Sequence, residues 1–142
     1  MRFMVIVKST PESENNAMPT EEELAAMTAY NEELVKAGVL LAGEGLLPSS
    51  EGARVVFEGD KRTVVDGPFT ESKELVAGYW LIDVKDKNEA IEWVKRIPSG
   101  PTGEKSEVEI RRVAEAEDFG DALTPELRER EQRLREQAEG TR

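Results

Sequence analysis

Gly78-Tyr79-Trp80-Leu81-Ile82-Asp83-Val84 is the stretch that decides the fold. Aromatic and branched residues follow one another with little room for a polar face, the pattern of a strand covered on both sides inside a sheet. Phe3-Met4-Val5-Ile6-Val7 has the same character and predicts a second central strand. Two such strands belong in the middle of a sheet.

The flanking segments supply the rest. After the decisive strand, Asp86-Lys87-Asn88-Glu89 reads as a helix start, a cap residue followed three positions later by a glutamate. Ala90, Ile91, Val94 and Ile97 form its apolar stripe, and Pro98 helps to end it. A loop with Gly100, Pro101 and Gly103 leads into Val108-Glu109-Ile110-Arg111-Arg112-Val113, whose first part alternates apolar with charged as a strand with one wet face does. Ahead of these elements, residues 11–19 are polar and turn-rich, and Thr20-Glu21-Glu22-Glu23 reads as a capping box. Leu24, Met27, Asn31, Leu34 and Val35 then keep helical spacing up to Gly38, so a helix is predicted over residues 21–37. Residues 39–42 form a short apolar run, which Gly43-Glu44-Gly45 interrupts with residues fit for a bulge or bend. Arg54-Val55-Val56-Phe57 and Arg62-Thr63-Val64-Val65 flank Glu58-Gly59-Asp60-Lys61 and predict a β-hairpin, inserted at the edge of the main sheet.

Without that hairpin the order is βαββαβ, the ferredoxin-like α+β unit with two helices on one face of a four-stranded antiparallel sheet. Right-handed crossovers place its first and third strands in the middle, where the two doubly apolar segments belong. The face without helices then needs a cover, and a second copy of the chain is the economical one, so a homodimer is expected. The domain is expected to span residues 1–113, followed over residues 114–142 by an acidic linker and a charged C-terminal helix that Thr124 caps with Pro125 in its first turn. Glu126 with Arg130, Glu129 with Arg133 and Glu131 with Arg135 are favourable (i, i+4) pairs worth about 0.2–0.5 kcal/mol each. Leu123, Leu127, Leu134 and Ala138 make a narrow apolar stripe, which suits a solvated terminal helix or one packed on a partner subunit.

Composition narrows the function. With 142 residues the chain can close one core of normal size. A net charge of -11 opposes direct nucleic-acid contact and an anionic membrane surface. Absence of cysteine excludes disulfides, thiolate nucleophiles and zinc-thiolate sites, and absence of histidine removes the commonest neutral-pH base and transition-metal ligand. The leading apolar run is far shorter than a signal-peptide core or a membrane span, so a cytoplasmic location is expected. No phosphate loop, dinucleotide fingerprint or nucleophile elbow is present, and no cofactor is expected. Glu44, Asp66 and Glu71 offer oxygen ligands, but nothing in their spacing asks for a metal.

Asp66-Gly67-Pro68-Phe69-Thr70-Glu71-Ser72-Lys73-Glu74, followed by Ala77-Gly78-Tyr79-Trp80, resembles the signature of the DGPF branch of the YCII-related family. Ala42-Gly43-Glu44-Gly45-Leu46 and the Val-Glu-Ile-Arg end extend the resemblance over most of residues 2–113. The resemblance implies a dimeric α/β-barrel assembly with a cleft between sheet and helices. It also implies an association of the branch with extracytoplasmic-function sigma factors. Some members of the wider family use a His-Asp pair on small ring compounds; a chain without histidine retains only the acidic half.

Asp66-Gly67-Pro68 is explained by turn chemistry alone, since Asp caps nearby N–H groups, Gly relieves sterics and Pro fixes the next φ. In the functional reading Asp66 lies at the cleft mouth as general base or polar anchor, with Phe69 as an apolar wall. Glu71, Lys73 and Glu74 are a solvated charged turn or, alternatively, a clamp in which Lys73 holds an anionic group near Asp66. Glu44 between its two glycines serves a bend or faces the same cleft. Tyr79 and Trp80, adjacent in a strand, must point to opposite faces, one into the core and the other toward a pocket or interface. Tyr30 and Trp93 read as packing residues. Two functions stand open: a small-ligand-binding or regulatory module, or an isomerase or lyase with Asp66 as base and Lys73 or Tyr79 steadying negative charge.

Overall fold

The computed structural model describes residues 1–99 and 105–140. The expected loop with Gly100, Pro101 and Gly103 lies outside them. Two compact units emerge, Met1–Arg112 and Val113–Arg142.

In the first unit, β1 (Arg2–Lys8), β2 (Leu40–Gly45), β5 (Val76–Asp83) and β6 (Val108–Arg112) form a four-stranded sheet in the order β2-β5-β1-β6. Every neighbouring pair is antiparallel, and the two doubly apolar strands are the central ones. Phe3 pairs with Ile82 and Val5 with Trp80, and these four side chains are buried on one face. Met4, Ile6, Tyr79 and Leu81 alternate with them on the opposite face and are only half-buried. Glu109 shares that face: its hydrogen bond from Arg111 and then the Lys8 charge hold its carboxyl below the ordinary range.

The helix α2 (Glu21–Lys36) starts where the capping box predicts, with Thr20 Oγ1 accepting from Glu23 N at 3.1 Å, a contact worth about 1 kcal/mol. It ends at the left-handed Gly38, φ 72°. Tyr30 and Leu34 are its buried residues; Leu34 is 1% exposed, so Leu34→Ala would cost about 2–5 kcal/mol. The helix α3 (Lys87–Val94) is capped by Asp86, whose carboxylate accepts from Glu89 N at 2.9 Å. Glu89 does not close the box on Asp86; it accepts from Lys85 N, one residue further out. The helix α2 is tied to α3 and to the turn that follows it: Tyr30 Oη donates to Trp93 O at 2.8 Å, and Arg96 pairs with Glu33 at 2.7 Å.

Several expectations need correction. The polar segment 11–19 contains a short helix, α1 (Pro11–Glu14), because Thr10 caps it, Pro11 opens it and Ser13 completes a capping box. The bulge in β2 falls between Leu40 and Ala42, ahead of the glycines, which continue the strand. The last strand stops at Arg112 rather than Val113. The hairpin, β3 (Ala53–Glu58) and β4 (Lys61–Asp66), does not join the edge of the main sheet but forms a two-stranded sheet of its own. Its apolar residues lie on both faces and stay exposed, Phe57 at 69% and Val64 at 65%.

The second unit holds a 3-10 stretch over Ala116–Ala122, kinked at Gly120, and the helix α4 (Pro125–Gly140). Thr124 Oγ1 accepts from Leu127 N at 3.2 Å, the predicted cap. No residue of α4 is buried, and Leu127 and Leu134 of its apolar stripe remain exposed. Among the described residues, no helix is long and apolar enough to cross a membrane.

Candidate functional site

Glycine recurs at one end of the main sheet, at Gly43 and Gly45 on β2 and at Gly78 on β5. Gly43 pairs with Trp80 and Gly45 with Gly78. A Cβ at Gly43 would lie 2.9 Å from Trp80 Cδ1, and one at Gly78 would lie 2.9 Å from the Glu44 carbonyl oxygen. Bare backbone is therefore required at both positions. Beside it a cleft of about 280 Å³ stays open, with Met27 and Asn31 of α2 on one side and Val7, Ala77 and Trp80 on the other.

The polar content of this cleft is small and oriented. Trp80 Nε1 donates to Asn31 Oδ1 at 2.8 Å, which fixes the amide so that its NH₂ has no protein partner among the described residues. The indole also meets the Tyr30 ring edge-on, with centroids 5.5 Å apart and planes at 77°. Burial pushes the Tyr30 phenol up to about 12, against a smaller downward pull from Arg96. Glu44 and Tyr79 also border the cleft, but they pair with each other and alternate with Gly43 and Trp80, so their side chains belong to the other face of the sheet. The arrangement can hold a small, flat, partly apolar molecule and offer it a hydrogen-bond donor.

The Asp-Gly-Pro-Phe turn does something different: it wraps Ser49. Phe69 N donates to Ser49 Oγ at 3.0 Å, while Ser49 Oγ and N donate to the Glu14 carboxylate of α1. Gly67 N donates to Gly52 O at 3.0 Å, and a Cβ at Gly67 would fall 1.8 Å from the Ser49 carbonyl oxygen. The Arg54 guanidinium sits 3.8 Å from the Phe69 ring centroid. The Gly67-Pro68 peptide is cis.

The family model of the YCII-related domain matches residues 1–117. The chain belongs to this family. An uncharacterised protein of Rhizobium meliloti (strain 1021) is 30% identical over 106 residues, 72% of this chain and 85% of that protein. Among solved structures, the 5-chloro-2-hydroxyhydroquinone dehydrochlorinase of Burkholderia phenoliruptrix AC1100, in complex with 2,5-dihydroxybenzoquinone, is similar at 18% identity. That likeness covers 80% of this chain and 94% of the dehydrochlorinase, with a TM-score of 0.48.

In this YCII-related domain the residues singled out from the sequence are dispersed. Asp66 is exposed at the end of β4, paired with Ala53, and neither it nor Phe69 lines the cleft. The expected place at the cleft mouth fails because the hairpin is a separate sheet whose end is fastened to Ser49. Glu71 is exposed ahead of the short turn Ser72–Glu74, and Lys73 lines a different cavity with Lys8 and Lys105. Glu44 and Tyr79 do border the cleft. Asn31, Met27, Gly45 and Gly78 were not singled out as site residues. Asn31 carried a signal, as the one amide in the apolar stripe of α2. Among the described residues, no group of three or more acidic side chains could hold a metal ion. A groove of about 700 Å³ in the second unit is larger, but much of its wall is exposed charged side chains such as Glu131, Arg135 and Glu139.

Proposed function

We propose that this YCII-related domain is a small-ligand-binding module that takes a flat, partly apolar molecule into the cleft between α2 and the main sheet. The observation that carries this reading is the bare backbone at Gly43, Gly45 and Gly78, which leaves about 280 Å³ beside the Asn31 amide. Trp80 and Met27 supply apolar contact, and Asn31 supplies a donor to a carbonyl or hydroxyl of the ligand. Glu44 and Tyr79 contribute the strand backbone that borders the cleft, their side chains lying on the other face. Asp66 has no part in this reading as a base, and its turn serves to hold the hairpin.

The assembly proposed with it is a homodimer of ferredoxin-like units. Two open sheet faces meet through Met4, Ile6 and Leu81, with the exposed apolar hairpin as an arm against the second copy. A thermal-shift screen of small aromatic acids, lactones and quinones, repeated on Gly45→Leu, tests the site. At Gly45 a Cβ would meet nothing within 4 Å, so a side chain there can occupy the cleft without pressing on the core. Hits that stabilise the wild type and not Gly45→Leu support the cleft; hits that stabilise both equally place the ligand elsewhere.

A further inference from the structure

Val7 lines the cleft, and the next residue of β1, Lys8, lines a second cavity of about 180 Å³. Lys73 and Lys105 share this cavity, together with Ser9, Thr10, Ser72 and Ser106. Three lysines in so small a space are unexpected in a chain of 30 acidic and 19 basic residues. Lys8 Nζ lies 3.6 Å from Glu109, while Lys73 and Lys105 form no ion pair among the described residues. Glu107 in the wall and Glu109 beside Lys8 offset two of the three charges, so the cavity keeps a positive excess.

Ser9 adds a hydroxyl to the wall. It is 7% exposed, and its N–H donates to Leu75 O at 3.0 Å. Its hydroxyl has no protein partner among the described residues. No sealed side-chain polar atom lacks a partner among the described residues, so this unpaired hydroxyl is open to solvent, and its residue lines the cavity. The backbone around it is firmly held: Lys8 N donates to Glu107 O at 3.1 Å, and Thr10 closes a capping box with Ser13.

We propose that this cavity binds a small oxyanion, a phosphate or carboxylate group, on the ammonium groups of Lys8, Lys73 and Lys105, with the Ser9 hydroxyl donating from the wall. Lysines suit an oxyanion approached as a point charge, without the bidentate geometry an arginine would impose. The volume suits a free anion or one small anionic group.

Isothermal titration of the full chain in low salt with inorganic phosphate, and separately with succinate, tests the proposal. Saturable binding of either anion is expected, and the anion that saturates at lower concentration identifies the chemistry. Lys73→Gln and Lys105→Gln should each weaken it about tenfold, the loss of one charged hydrogen bond, whereas Lys36→Gln on α2 should leave it unchanged. Ser9→Ala should also weaken binding while the unliganded protein melts at the same temperature or higher. Gly45→Leu should leave anion binding intact, which separates this site from the cleft. Absence of saturable binding by both anions, or binding that survives the Lys73→Gln, Lys105→Gln double variant, would overturn the proposal.

Discussion

Trp80 on β5 donates its indole N–H to Asn31 on α2 across 2.8 Å, and this bond joins the strand that decides the fold to the helix that borders the cleft. Replacing Asn31 by Leu keeps the bulk and strands the donor, at a cost of about 1–3 kcal/mol. Urea unfolding of Asn31→Leu should show that loss. The same substitution in a Trp80→Phe background should cost much less, because no donor is then left unpaired.

The glycines should respond unequally to alanine. Gly43→Ala drives a methyl to 2.9 Å from Trp80 Cδ1 and should destabilise by about 1–3 kcal/mol, as overpacking of a fitted core does. Gly45→Ala meets open space and should stay within about 0.5–1 kcal/mol of the wild type. Equal midpoints for the two variants would contradict the packing described here.

Tyr30 sets an alkaline limit. Its folded pKa of about 12 exceeds the ordinary 10.0, so the phenol's contribution is fully present below pH 10 and is lost as pH rises toward 12. Over that window the stability advantage of wild type over Tyr30→Phe should shrink, by at most about 1.4 kcal/mol per pH unit, and change sign before pH 12. At pH 8 the variant should be less stable by about 1 kcal/mol, the worth of the hydrogen bond to Trp93 O. Chemical denaturation at pH 8, 10 and 11.5 checks both the sign and the slope.

The proposed dimer is tested on the open face. Leu81→Lys places a charge among Met4, Ile6 and Tyr79 without touching Phe3, Val5 or Ile82 beneath. Sedimentation velocity should then show a monomer that keeps its helical and strand signal. A wild type that sediments as a monomer at micromolar concentration refutes the dimer directly.

The central strands, the helices α2 and α3 and the hairpin were legible in the sequence because each is fixed by local rules: apolar runs, the Thr20 and Asp86 caps, and a Gly-Asp turn. The helix Pro11–Glu14 was missed because four residues give no periodicity to read, although Thr10-Pro11-Glu12-Ser13 carries its cap. The site was less legible. Nothing local to residues 66–69 says that they contact Ser49, which lies about twenty positions earlier and is itself held by Glu14. The cleft is made of pairings between β2 and β5, separated by the whole hairpin, and only the assembled register reveals that Gly45 and Gly78 face each other.

The glycine wall also limits how this site can diversify. Gly43 and Gly78 admit no side chain without displacing Trp80 or the β2 backbone, so that boundary of the cleft cannot be edited by ordinary substitution. Variation in what the cleft accepts is left to Met27, Asn31, Val7 and the permissive Gly45. Descendants of such a domain would share one immovable stretch of wall and differ around it, their ligand preferences drifting by changes on the helix α2 and at two strand positions, Val7 and Gly45.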